Sequence, residues 1–150
     1  MFYSLLFIQV ITLLYHQITT RFDFYPFNGV RHYSVKERRV EALVNGIIMV
    51  IAIILSITQI PALIAISGVI WTLIMFGAIL NWWLPYFTGR EFYRVSKDET
   101  WFQVYERIFS KTIHILPRIK NNPRPNLEHV ILHLLILCAS VLSWLIAIFH

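Results

Sequence analysis

The sequence predicts an all-α integral membrane protein, a bundle of four transmembrane helices with one amphipathic helix at the membrane interface. Three observations carry this. Hydrophobic residues make up 57% of the 150 and charged residues 14%, which is not the balance of a soluble domain. Residues 1–20, 42–89 and 129–150 contain no Asp, Glu, Lys or Arg. The charges fall instead into two blocks. One holds Asp23, Glu37, Glu41, Arg21, Arg31, Lys36, Arg38 and Arg39; the other runs from Arg90 to Glu128. Soluble helices keep a polar face, and these long runs have none.

The first span is residues 2–20. About 20 apolar residues cross a hydrocarbon core of roughly 30 Å as a helix. No basic stretch precedes it and no small-x-small cleavage site follows, so it reads as an anchor rather than a removed leader. In FDFYPFNG, Pro26 and Asn28-Gly29 predict a turn at headgroup level. Ser34 and Glu37 have the spacing of a capping box, which starts the second helix near Val35.

The middle run, 43–87, would be about 65 Å long as a single helix, twice the core thickness. It must fold back, and Thr58-Gln59-Ile60-Pro61 is the break, because Pro61 cannot continue the backbone ladder. The spans are then 43–60 and 62–85. Trp82-Trp83 and Tyr86-Phe87 read as an interfacial belt closing the third.

Ser96 and Glu99 fit a second capping box, and Pro117 is a stop signal. Between them Trp101, Val104, Tyr105, Ile108, Phe109, Thr112, Ile113 and Leu116 recur at helical spacing, giving an amphipathic helix of about five turns. Its apolar face is expected on the inner membrane surface, with docking of a cytoplasmic protein through 97–116 as the rival. A Pro- and Asn-rich linker leads to Asn126, a cap for the fourth span, 130–149. There Ala139, Ser143 and Ala147 form a small-residue row that permits close helix approach, within one chain or between subunits of a homo-oligomer. Cys138 is expected as a buried, inert thiol.

The chain is thus one membrane domain, 1–150. With four spans, segments 21–42 and 86–129 share a side and hold all 13 Lys and Arg. The positive-inside rule makes that side the cytoplasm, with both termini outside, in the plasma membrane. Lys36, Arg38 and Arg39 suit anionic lipid headgroups; nothing near them reads nucleic acid.

Few polar residues enter the spans, and those at the charged end share a depth. His16 is about 7 Å inward of Arg21, Asn45 about 6 Å inward of Glu41, and His133 about 7 Å inward of Glu128. His129 sits at the boundary, and Asn81 lies beside the aromatic belt. The outer half is read as holding hydroxyls and Gln59. Intramembrane polar groups are costly and turn inward, so this ring is the candidate site.

Three roles fit it. The side chains could pin the bundle by bonding one another. His16, His129 and His133 could hold a metal, or a facing pair of them a haem. Or the ring could be a pocket for a lipid headgroup or small ligand, built on Asn45 and Asn81 with Arg38, Arg39, Arg90 and Arg94 on its rim. There is no HExxH, GxSxG or glycine-rich phosphate loop. The expected function is therefore a membrane anchor, sensor or pore-forming subunit working on the cytoplasmic side. The alternatives are a metal- or haem-dependent enzyme acting at the inner leaflet, and a transporter or a channel lined by Ser56, Thr58, Ser67, Thr72, Ser140 and Ser143.

Overall fold

The computed structural model describes residues 1–92 and 99–149. Those residues form helices α1 (Phe2–Arg21), α2 (Val35–Ile57), α3 (Pro61–Ala78), α4 (Leu84–Thr88), α5 (Trp101–Ile108) and α6 (Leu127–Phe149). A π-helical segment, Ile79–Trp83, joins α3 to α4, so that Pro61–Thr88 is one continuous rod of 28 residues. With α1, α2 and α6 it makes four helices long and apolar enough to cross a membrane. Their outward faces carry large apolar side chains, among them Phe7, Leu43, Ile54, Leu73, Leu134 and Ile148. Water would not tolerate such a surface, and lipid requires it.

The local signals act where the sequence placed them. Ser34 Oγ accepts from the Glu37 amide at 3.1 Å and Glu37 returns the bond to the Ser34 amide at 2.7 Å, so α2 begins at Val35. Pro61 occupies the first turn of α3, and Gln59 turns the chain with φ 59°. Asn126 Oδ1 caps α6 by accepting from the His129 amide at 3.1 Å. Asn28, fully buried, donates to the carbonyls of Thr19 and Phe22 and accepts from the Phe24 amide, which closes the end of α1.

α3 and α6 form the most extensive helix pair, followed by α1 with α2 and with α6. The small-residue row serves this interior seam. Ala139 and Ser143 are fully buried, and Gly68 of α3 brings its backbone so near that a Cβ there would lie 3.2 Å from the Trp144 ring. Cys138 departs from expectation, lying exposed on the outward face of α6.

The half of the bundle away from the charged segments, expected to hold hydroxyls and Gln59, also departs from it. Gln9, fully buried on α1, brings its Nε2 within hydrogen-bond distance of Ser56 of α2 at 3.0 Å, Ser67 of α3 at 3.3 Å and Ser143 of α6 at 3.2 Å. One amide thus ties all four long helices at a single level. Ser56, Ser67, Ser140 and Ser143 are buried inside one chain, and Thr72 bonds Ser140 at 2.9 Å. These serine hydroxyls are bonded within the chain, while Thr58 and Thr72 are exposed.

The amphipathic helix is present but short. It is capped by Thr100, whose side chain exchanges bonds with Gln103, and it ends at Ile108 rather than near residue 116. Residues 96–98 of the expected capping box lie outside the described residues. The apolar face is covered by the chain itself, because Trp101, Val104, Ile108 and Phe109 pack with Trp82 and Tyr33. Neither a membrane surface nor a partner is needed to bury it. Arg107 fastens the exposed side, bonding Glu99 at 2.9 Å, Glu37 at 2.8 Å and the His32 carbonyl at 2.9 Å.

Candidate functional site

The candidate site is a cavity of about 470 Å³ between α2, the α3 rod and α6, at the end of the bundle that carries the charged segments. The structure brings His16, Asn45, Asn81, His129 and His133 onto its wall together with Glu41 and Trp82. Away from these polar groups the wall is hydrocarbon: Ile48, Met49, Ile70, Leu73, Ile74, Gly77, Ala78, Leu132 and Ile136. Ile48 and Leu73 are exposed, 36% and 63%, on the outward surface between α2 and α3, so the cavity has a lateral mouth on the lipid-facing side. A second cavity of about 380 Å³ continues it toward Tyr33 and Glu37, sharing Glu41, Asn45, Asn81, Trp82 and His129.

Backbone chemistry shapes this wall. Pro85 has no N–H for the carbonyl of Asn81, so a regular α-helix fails there. The Leu84 amide reaches back to the Ile79 carbonyl, and the rod widens to a π turn over Ile79–Trp83. The added residue in that turn rephases the rod. Trp82 and Tyr86 are buried, the Trp82 ring 4.0 Å from that of His129, and Trp83 is half-buried against His133. Of the expected aromatic belt, Phe87 is the exposed member.

The hydrogen bonds assign His133 and His129 their proton positions. Trp83 Nε1 donates to His133 Nδ1 at 3.1 Å, which leaves Nε2–H of a neutral His133 as a donor. His129 Nδ1 meets Asn126 Oδ1 at 2.7 Å, an oxygen already accepting from the His129 amide. Nδ1 there is the donor, and Nε2 remains an acceptor. Gln17 Nε2 lies 3.2 Å from His16 Nδ1 and Asn45 Nδ2 lies 3.4 Å from His16 Nε2, so an amide N–H faces each ring nitrogen and the neutral ring accepts from one of the two. Burial, and then the Glu41 and Glu128 carboxylates, push the Tyr33 phenol above its ordinary range; it stays protonated and donates to Glu41.

The expected three-histidine ligand set is not assembled. Among the described residues no group of three His, Cys, Asp or Glu side chains is placed to hold a metal ion. The His129 and His133 rings are 5.8 Å apart, and His129 is packed between Trp82 and Phe109, without the open faces that a haem slot needs. The expected basic rim is elsewhere too. Arg38 and Arg39 line a different hollow with Arg21, Arg90 is exposed beyond α4, and Arg94 lies outside the described residues. Glu41 is the wall residue that sequence reasoning missed. Its position four residues before Asn45, on the same face of α2, was the available signal.

The class of protein so defined is a small integral membrane four-helix bundle with a polar-ended cavity. The chain matches no known family model, no curated protein and no solved structure, so its activity is argued from this geometry.

Proposed function

We propose that this protein binds an amphiphile from the surrounding lipid in the cavity between α2 and the α3 rod, and works as a membrane sensor or accessory subunit. Its charged end faces the cytoplasm, by the positive-inside rule, and the ligand enters from the inner leaflet of the plasma membrane. The observation that carries this reading is the 470 Å³ cavity itself, with one polar end, apolar walls and a lateral mouth. That is the shape of a molecule with a small head and a hydrocarbon tail.

The head is uncharged and makes hydrogen bonds. His133 Nε2–H offers a donor; Glu41, His129 Nε2 and the Asn45 oxygen offer acceptors. Among the described residues no Lys or Arg lines the cavity, and Glu41 would repel a phosphate. An alcohol or carbonyl head fits this set. The hydrocarbon stretch from Asn45 to Met49 takes the adjoining part of the tail.

Gly77 supplies the test. A Cβ there would meet nothing within 4 Å, and Gly77 lines the cavity, so Gly77→Leu is the substitution that fills it. Protein purified from membranes in mild detergent is extracted and its retained lipids are identified by mass spectrometry. The expected result is an uncharged amphiphile enriched over bulk lipid in the natural protein and lost in Gly77→Leu at unchanged melting temperature. Equal lipid profiles in the two proteins would overturn the reading.

A further inference from the structure

A second site lies on the opposite side of α2. Arg21 at the end of α1, and Arg38 and Arg39 in the first turns of α2, converge on a hollow of about 400 Å³. It runs without a break into an apolar groove of about 410 Å³ along the α1–α2 seam, the two sharing Arg21, Ala42 and Leu43. Leu14, Ile47 and Val50 border the groove. From Leu43 to Ile51 it follows about 12 Å of helix, most of one leaflet's half of the hydrocarbon core.

Two arginines elsewhere are neutralised by carboxylates. Arg31 is paired with Asp23 at 3.0 Å, and Arg107 with Glu37 and Glu99 at 2.8 and 2.9 Å. Arg21, Arg38 and Arg39 have no carboxylate partner among the described residues. Arg38 and Arg39 also stand at the positive end of the α2 dipole, an unfavourable place for a cation unless an anion joins it. Three like charges gathered there repel one another, and the carboxylates that could have answered them, Glu37 and Glu41, are engaged by Arg107 and Tyr33.

We propose that Arg21, Arg38 and Arg39, with the apolar seam between α1 and α2, form a binding site for one phospholipid whose head carries net negative charge. The phosphate takes the guanidinium groups, which suit its oxygens in bidentate geometry, and one acyl chain lies along the seam past Leu43 and Ile47. This site is separate from the neutral-headed cavity. Its chemistry is the opposite one, and either can fail without the other.

The full-length protein in an uncharged detergent is titrated with phosphatidylglycerol and with phosphatidylcholine of the same chains, and native mass spectrometry counts the lipids retained. One phosphatidylglycerol is expected to stay bound where phosphatidylcholine leaves. Arg38→Gln and Arg39→Gln each lower its apparent affinity roughly fivefold, the effect of one surface arginine on an anionic lipid. Lys36→Gln, a neighbouring base outside the hollow, leaves it unchanged. Ile47→Trp, at a position 51% exposed, obstructs the seam and weakens retention with the circular dichroism and melting temperature intact. Three results would each overturn the proposal: equal retention of the two lipids, an equal loss with Lys36→Gln (diffuse surface charge), or full competition by inorganic phosphate (an ion site with no place for the chain).

Discussion

Replacing Gln9 by Met keeps the volume of the buried side chain and removes its amide, and the structure sets how much stability that should cost. Nε2 lies within 3.3 Å of Ser56, Ser67 and Ser143, yet an amide nitrogen has two hydrogens and serves two acceptors at a time. Bonds between helices in lipid average about 0.6 kcal/mol, so the two contribute about 1.2 kcal/mol. The serines are not orphaned by the change, because Ser56 also bonds the Ala52 carbonyl at 3.1 Å and Ser143 the Ala139 carbonyl at 2.7 Å. Against this, Gln9 Oε1 is buried without a partner, and deleting it returns part of the sum. The expected net loss for Gln9→Met is therefore below about 1 kcal/mol. Gln9→Ala adds a cavity and should lose about 2 kcal/mol more. Reversible unfolding by a denaturing detergent in mixed micelles measures both. If Gln9→Met proved as damaging as Gln9→Ala, the polar layer rather than the packing around it would hold the outer half together, and this reasoning would be wrong.

Two further outcomes follow from other parts of the molecule. Gly68→Leu should destabilise by about 1–3 kcal/mol through overpacking. Even its Cβ lies 3.2 Å from the Trp144 ring, and the displaced indole loses its 3.0 Å bond to Thr72; detergent unfolding and the tryptophan emission spectrum report both. His114, in the segment after α5, touches the Tyr105 hydroxyl at 3.2 Å, and burial, then Arg124, with Arg118 adding less, depress its pKa below the ordinary 6.5. A lowered histidine pKa means that the fold favours the neutral ring, so its contribution is whole above pH 6.5 and is lost as pH falls through that value toward the folded one. Amide protection factors around Tyr105–Leu116, taken against the intrinsic rate at each pH, should fall on acidification in the natural protein and not in His114→Gln.

Much of the frame is legible in the sequence because membranes impose blunt rules. Charge-free stretches of the right length, a proline at the fold-back and the caps Ser34 and Asn126 place four long helices to within a few residues. The depth argument also gathers His16, Asn45, Asn81, His129 and His133, since rise per residue is fixed whatever the packing. Angle around the helix axis is harder. Arg39 stands about 200° around α2 from Glu41, so equal depth did not make it part of the same wall. Trp82 turns inward because the π segment shifts the phase, which follows from Pro85 only once the helix is seen to continue through it. The amphipathic period runs on past Ile108 as far as Leu116, but the chain turns at Phe109, and the Ile113 amide bonds the Pro26 carbonyl at 2.9 Å instead of a helical partner. Gln9 escaped notice among apolar neighbours, although an amide nine residues into a span is itself a signal of an interior position.

The two polar layers of the bundle show why one is a candidate site and the other is not. Around Gln9 every hydroxyl closes on another polar atom within 3.3 Å. The layer at the charged end makes its bonds at the edges, His16 to Gln17, His133 to Trp83, His129 to Asn126, and leaves about 470 Å³ in the middle. A ring that served only to pin helices would close around its own bonds, as the outer one does. α3 adds a second sign. Gly77 sits mid-helix with nothing within 4 Å of where a Cβ would lie, so the helix forgoes up to about 1 kcal/mol of propensity relative to alanine and receives no packing in exchange. At Gly68 the missing Cβ brings α3 and α6 together; at Gly77 it brings nothing together and leaves the cavity open. The cost of that space is accounted for if something occupies it.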